Sequence, residues 1–317
     1  MFVILSKMFM KSNYIKIKTT VLFLAALPII LSSCNQKTSS ENQPKKEASQ
    51  IDKSSQKKDL SEAFKAYWYR GKAEVTSYKL EQARYGEMRD GHAVLVYVTE
   101  DFLPKEQVKA DYRNPENISV LKLNSIKKFT TGIYPYSIMQ STFYPVNNEE
   151  HAIKVSASIQ EWCGQTYMQL NNRTDFEATI HSYFQSEGDQ NFHLQKTILE
   201  NELWTQLRID PKSLPVGELE IIPSFEYLRL KHEKLQAFKA NASLHQGVYR
   251  ISYPDLQREL EIHFSPDFPY DILSWEETYP DNDKMLTTKA TKLKMLKTAY
   301  WHENSNSYER LRDTLGI

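Results

Sequence analysis

Arg258-Glu259-Leu260-Glu261-Ile262-His263-Phe264 alternates between polar and apolar residues. Successive side chains of a strand point to opposite faces, so a period of two describes a strand with one wet and one dry face. Ala152-Ile153-Lys154-Val155-Ser156-Ala157-Ser158-Ile159 and Leu219-Glu220-Ile221 repeat the pattern. Ala93-Val94-Leu95-Val96-Tyr97-Val98 is apolar and follows Asp90-Gly91, a dipeptide that favours a hairpin turn. Gly247 and the prolines at 254, 266 and 269 punctuate the later runs. About a dozen candidate strands can be marked in this way after Leu60. They predict a mainly β fold: a large antiparallel sheet or open half-barrel, with one or two short helices.

Helical spacing is scarce. Leu60 to Tyr69 reads as a short helix that Ser61 can cap. Thr197 to Ile209 carries apolar residues on one helical face and stops at Asp210-Pro211. Ser305 to Leu311 is a possible terminal helix. The pattern predicts a single β-rich domain over 60–317, with a candidate sub-boundary near 197–216.

Upstream the character changes. Lys7, Lys11, Lys16 and Lys18 precede an apolar run of eleven residues, Val21 to Leu31, and Leu31-Ser32-Ser33-Cys34 follows. A membrane-spanning helix needs roughly 20 apolar residues, so this run is too short to be a permanent span. Charge, then a short apolar core, then small residues is the layout of a removable secretory segment. Leu31-Ser32-Ser33-Cys34 resembles the lipobox of bacterial lipoproteins, which implies cleavage before Cys34 and acylation of its thiol and new amino end. Two or more acyl chains anchor a protein stably; one does not. Residues 1–33 are therefore expected to be a signal peptide. Residues 34–59, poor in apolar and lacking aromatic residues, are expected to be a disordered tether. Asn35-Gln36-Lys37-Thr38 matches the acidic surface-export signal of Bacteroidetes-type lipoproteins poorly. That favours a lipid anchor in the outer membrane facing the periplasm over the cell surface.

The chain has 317 residues with 40 basic and 40 acidic side chains; without the four signal lysines it has 36 against 40. A mildly acidic body argues against nucleic acid, which needs a basic footprint. The two cysteines are Cys34 and Cys163, so acylation of the first leaves the second unpaired. Nine glycines leave little material for phosphate-binding loops, and no P-loop, dinucleotide fingerprint or Gly-x-Ser-x-Gly elbow occurs. No cofactor is expected.

Gln160-Glu161-Trp162-Cys163-Gly164 is the most unusual segment. Cys163 as a nucleophile would need a depressed pKa and a nearby base, with Glu161 beside it and His181 one strand away as candidates. The plainer expectation is a buried cysteine at a strand end. None of the eight histidines has a partner at metal-ligand spacing. Asp281-Asn282-Asp283 lacks the later ligands of a calcium loop and reads as a solvated turn. Glu276 and Glu277 point to opposite faces of a strand and read as edge or surface charges. Tyr67-Trp68-Tyr69, Tyr134-Pro135-Tyr136 and Tyr300-Trp301 either fill the core or line a cleft for an apolar or glycan ligand. Asp313-Thr314-Leu315 resembles the short acceptor for O-glycosylation in Bacteroidetes-type secreted proteins.

Lys79-Leu80-Glu81-Gln82-Ala83-Arg84-Tyr85-Gly86, Val96 to Pro104, Ser158 to Gly164 and Leu286 to Thr291 resemble a family of uncharacterised Bacteroidetes-type lipoproteins. Its members often carry the label "septum formation inhibitor Maf". That label implies a nucleotide pyrophosphatase with an early Ser-x-Ser-Pro-Arg-Arg motif. The motif is absent, so no catalytic residue carries over. The expected function is a lipid-anchored envelope protein whose β domain binds a ligand or protein partner without chemistry. The alternative is an envelope hydrolase using Cys163 or a His/carboxylate site.

Overall fold

The computed structural model describes residues 60–147 and 151–317. The signal segment, Cys34 and the expected tether lie outside the described residues. The chain begins with α1 (Glu62–Trp68) and strands β1 (Ala73–Arg84), β2 (Glu87–Leu103), β3 (Val108–Lys109), β4 (Ile118–Thr131) and β5 (Tyr134–Pro145). It continues through β6 (Lys154–Glu161), β7 (Gly164–Asn172), β8 (Phe176–Ser182), β9 (Gln190–Leu194) and β10 (Ile198–Leu199). Next come α2 (Glu200–Ile209), β11 (Gly217–Ile222), α3 (Phe225–Lys231), β12 (Phe238–His245), β13 (Val248–Tyr253) and β14 (Arg258–Phe264). The last elements are β15 (Ile272–Asp281), β16 (Lys284–Thr298) and α4 (Arg310–Leu315).

The fold is mainly β. All sixteen strands form one sheet, antiparallel throughout except for β10 beside β11. Neighbours in sequence are neighbours in space along β10 to β16 and again along β1 to β9, except that β3 pairs with β2 alone and β4 lies beside β2; the β1–β16 pair joins the two runs. The segment 197–216 is where the chain leaves the β9 end, passes through α2, and enters the other end of the same sheet. Antiparallel order sets the β1–β2, β4–β5, β6–β7, β8–β9 and β15–β16 turns on one rim, together with the exit from β11 into α3.

Ser61 caps α1, accepting from the Phe64 amide at 3.1 Å as anticipated. Helix α2 starts at Glu200, three residues later than its apolar spacing suggests, because Ile198 and Leu199 pair with Ile221 and Ile222. Helix α3 carried no amphipathic signal: Phe225 to Leu230 are all buried, so no polar stripe marks it. Both helices pack on the inner face, α2 against β4 and β5, α3 against β5 and β6. No helix among the described residues is long and apolar enough to cross a membrane.

The central strands are covered twice. Ala93, Leu95 and Tyr97 join the main core, while Val94, Val96 and Val98 join a second cluster with Ala73, Val75 and Leu315. Burial on both faces explains why Ala93–Val98 is apolar without alternation. The hairpin expected at Asp90-Gly91 is displaced. The turn falls at Tyr85-Gly86, both in the left-handed region (φ 58° and 77°), and β2 runs straight through Gly91. Gly91 instead permits close approach of β4: a Cβ there would lie 2.3 Å from the Lys128 carbonyl oxygen.

Candidate functional site

The inner face of the sheet is packed, not hollow. Arg258 lies between Glu200 and Glu277, donating to Glu200 at 2.5 and 2.7 Å and to Glu277 at 2.7 Å. Lys127 pairs with Glu226 at 2.8 Å, and Gln140 and Asn201 link to the same group. Arg208 of α2 forms a bidentate pair with Glu74 of β1. Burial alone would raise the Glu200 carboxyl, but Arg258 and the Tyr253 hydroxyl hold it below the usual carboxylate range. Burial does raise Glu226, despite Lys127. The cavity beside Arg258, Glu200, Glu277, Lys127 and Glu226 is about 40 Å³, room for one or two waters. Buried ion pairs of this kind fix the position of helices and add little net stability.

Two side chains expected at the surface, Glu277 and Asp281, are buried. Glu277 is buried on the core face with Trp275 and Tyr279, while its neighbour Glu276 faces outward to Lys289. Asp281 is no solvated turn residue: it is buried, accepting from the Gly86 amide at 2.7 Å and from Lys231 at 2.9 Å. The aromatic runs divide between the two expected roles. Trp68 and Tyr136 are buried; Tyr69, Tyr300 and Trp301 stay exposed. Thr314 lies in α4, its hydroxyl donating to the Arg310 carbonyl.

Cys163 is exposed, against the expectation of a buried thiol, because it occupies the β6–β7 turn between Trp162 and Gly164. Its backbone N–H donates to the Glu161 carboxylate at 2.7 Å, and the Tyr183 hydroxyl donates to the other Glu161 oxygen at 2.7 Å. The hydrogen bond that the thiol donates to Glu161, and the negative charge of that carboxylate, push the thiol pKa up, the opposite of nucleophile activation. His181 sits opposite Tyr167 and contacts Asp189 at 3.3 Å. Tyr167 is four residues from Cys163, about 13 Å at the strand rise. The structure thus brings Glu161 to Cys163 and leaves His181 apart. Among the described residues, no three His, Cys, Asp or Glu side chains gather to hold a metal.

The rim holds a larger feature. Between β7, β8 and β9 and the segment after α3 lies a cleft of about 450 Å³. Met168 pairs with Ile180 across β7 and β8, Phe192 pairs with Ala178 across β8 and β9, and Met168, Ile180 and Phe192 form an apolar floor with Leu228 and Leu235. At the mouth, Glu187 lies 2.6 Å from His232 Nδ1. The Ser182 hydroxyl also donates to Glu187, at 2.6 Å. Burial would raise the Glu187 carboxyl, but these hydrogen bonds and Arg229 hold it below the usual range. An ionised carboxylate at that distance requires the proton on Nδ1 of His232. His232 adopts the left-handed conformation (φ 56°) at the end of α3, which turns its ring toward the β8–β9 connection. Arg229, on the same helix, donates from Nε to Thr166 at 3.1 Å and lies under the Phe184 ring, 4.2 Å from its centroid.

Sequence reasoning missed this cleft. Its floor comes from three strands, and its charged mouth combines a helix too short for a periodic signal with the irregular loop between β8 and β9. Ser224, which caps α3 by accepting from Tyr227, was the one local clue to that helix.

No family model and no curated protein matches the chain. Among solved structures it is similar to the crystal structure of a β-barrel-like protein of a domain of unknown function, DUF1849, from Brucella abortus. The identity is 7% and the TM-score 0.42, covering 71% of this chain and 98% of that one.

Proposed function

We propose that the chain is a lipid-anchored cell-envelope protein whose β domain binds a small ligand or a partner segment in the rim cleft, without chemistry. The anchor is Cys34, and the domain faces the periplasm from the outer membrane. The lipobox-like Leu31-Ser32-Ser33-Cys34 and the resemblance to Bacteroidetes-type lipoproteins support this placement.

One observation carries the binding reading: a cleft of about 450 Å³ with an apolar floor and a few convergent polar groups at its mouth. That size and lining match small-molecule sites, which run about 300–1,000 Å³. The sheet interior, by contrast, is filled by α2, α3 and their ion pairs. Binding therefore belongs at the rim.

Nile red, a neutral apolar dye, tests the cleft. The dye should fluoresce with the folded full chain, and Ile180→Trp, which fills the floor, should abolish the signal while the thermal midpoint stays close to wild type. Dye fluorescence unchanged in Ile180→Trp would refute the cleft. Mass spectrometry of the protein extracted from cells tests the anchor. A mature N-terminus at a triacylated Cys34 is expected, and an unmodified full-length chain would overturn that half of the reading.

A further inference from the structure

The polar end of the cleft is unevenly compensated. The Arg229 side chain is 7% exposed. Its Nε donates to Thr166, while its Nη1 lies 3.3 Å from His232 Nδ1, which as a donor to Glu187 cannot accept from it, and 3.6 Å from Glu187 itself. Its Nη2 has no hydrogen-bond partner among the described residues, and Arg229 lines the cleft. Glu187 is the nearest carboxylate, but its closer partners are His232 and the Ser182 hydroxyl, both at 2.6 Å. A buried guanidinium whose own carboxylate is shared in this way keeps capacity for a further anion. Burial lowers the Arg229 pKa in spite of Glu187, in line with incomplete compensation. The other charged residues lining the cleft, Lys234 and Glu233, are exposed and of opposite sign, so water screens them.

The rest of the lining includes the apolar Met168, Ile180, Phe192, Leu228 and Leu235, with Gln190 and Gln236 as uncharged polar neighbours. A cation at one end of an apolar trough suits a molecule with an anionic head and a hydrocarbon body. The volume suits one chain better than the paired chains of a phospholipid.

We propose that the cleft binds a single-chain amphiphile with a carboxylate or phosphate head, the head on Arg229 and the chain along the β7–β9 floor. This rests on the binding reading above and names its ligand class. The head accepts hydrogen bonds from the free Nη2 edge. The Nδ1-protonated His232 stays with Glu187 and keeps that carboxylate from pairing fully with Arg229.

The test uses the full chain carrying Cys34→Ala, which removes the acylation site. Dodecanoate, dodecyl phosphate, dodecan-1-ol and dodecyltrimethylammonium are each titrated below their micellar concentrations by calorimetry. Both anions should bind about tenfold or more tighter than the alcohol, and the cation more weakly than the alcohol, since a charge-assisted hydrogen bond is at stake. The stronger of the two anions tells a free fatty acid from a lipid phosphate. Arg229→Gln should erase the preference for the anions over the alcohol, and Arg229→Lys should keep part of it. Because Arg229 is buried and its variants can misfold, Ile180→Trp gives a second arm. It leaves the guanidinium in place and should lose all four probes. Equal affinity for alcohol and anions, tighter binding of the cation, or a preference that survives Arg229→Gln in a folded protein overturns the proposal. If no probe binds while Nile red still enters and Ile180→Trp expels it, the ligand class falls and the cleft stands. If Nile red fails as well, both fall.

Discussion

Arg208 and Glu74 meet in parallel: Nη1 to Oε1 at 2.6 Å and Nη2 to Oε2 at 2.8 Å, with both side chains almost wholly buried. Tyr67 donates to the same carboxylate, and Arg208 Nε donates to the Pro269 carbonyl at 2.9 Å. The pair ties α2, which follows β10, to β1 in the middle of the sheet. Removing one partner strands the other charge in the core. Arg208→Gln and Glu74→Gln should each lower unfolding stability by about 3–5 kcal/mol in urea titrations. A loss below about 1 kcal/mol would show that water already reaches the pair.

Gly91 should resist substitution for a different reason. A Cβ there would stand 2.3 Å from the Lys128 carbonyl oxygen and 2.8 Å from Phe129 Cβ. Neither backbone can yield without breaking the β2–β4 ladder. Gly91→Ala should cost about 1–3 kcal/mol by overpacking. An unchanged thermal midpoint would contradict this account of the hairpin's displacement to Tyr85-Gly86.

Cys163 should be accessible yet sluggish. The thiol is exposed, but Glu161 raises its pKa. A thiol reagent should label it completely in the folded protein, slowly at pH 7. Glu161→Gln should accelerate labelling several-fold by releasing thiolate. Protection until unfolding would contradict the exposed turn, and no acceleration would contradict the role of Glu161.

Lys297 should leave a mark on stability at alkaline pH. Burial lowers its pKa to about 8, although Glu74 opposes the shift. The ammonium donates to the Tyr67 carbonyl at 2.7 Å and sits 3.3 Å from the Tyr67 ring centre. In the unfolded chain the group titrates near its ordinary value, about 10.4. Between those values the unfolded state binds more protons, so this group makes stability rise with pH from about 8. Wild type should therefore gain stability relative to Lys297→Met between pH 7.5 and pH 9.5. Parallel stability curves for the two proteins would refute the depressed pKa.

The strands were legible because each dry face must be apolar at every second residue. The same parity also marks the buried charges. Arg258 shares its face with Leu260, Ile262 and Phe264; Glu277 shares its face with Trp275 and Tyr279; Lys127 shares its face with Leu123 and Phe129. A charge at a core parity position signals a buried partner. The partners Glu200 and Glu226 sit on inner helices, so the pairing itself depends on tertiary structure. Helix α3 and the cleft were hidden for a related reason. A seven-residue helix buried on all sides has no amphipathic period, and Arg229, His232 and Glu187 converge only once the sheet curves around it. Glu161 and Cys163 were legible as neighbours; the distance to His181 was not, because it depends on strand register.

Methyl-resolved NMR of the full chain during titration with dodecan-1-ol tests most directly whether the rim cleft is the binding surface. The Met168, Ile180, Leu228 and Leu235 methyls should shift together and saturate with one affinity, while Leu123 and Leu260, beside the inner ion-pair chamber, stay fixed. Shifts at Leu123 and Leu260 with the cleft methyls unmoved would place binding inside the sheet and contradict the account.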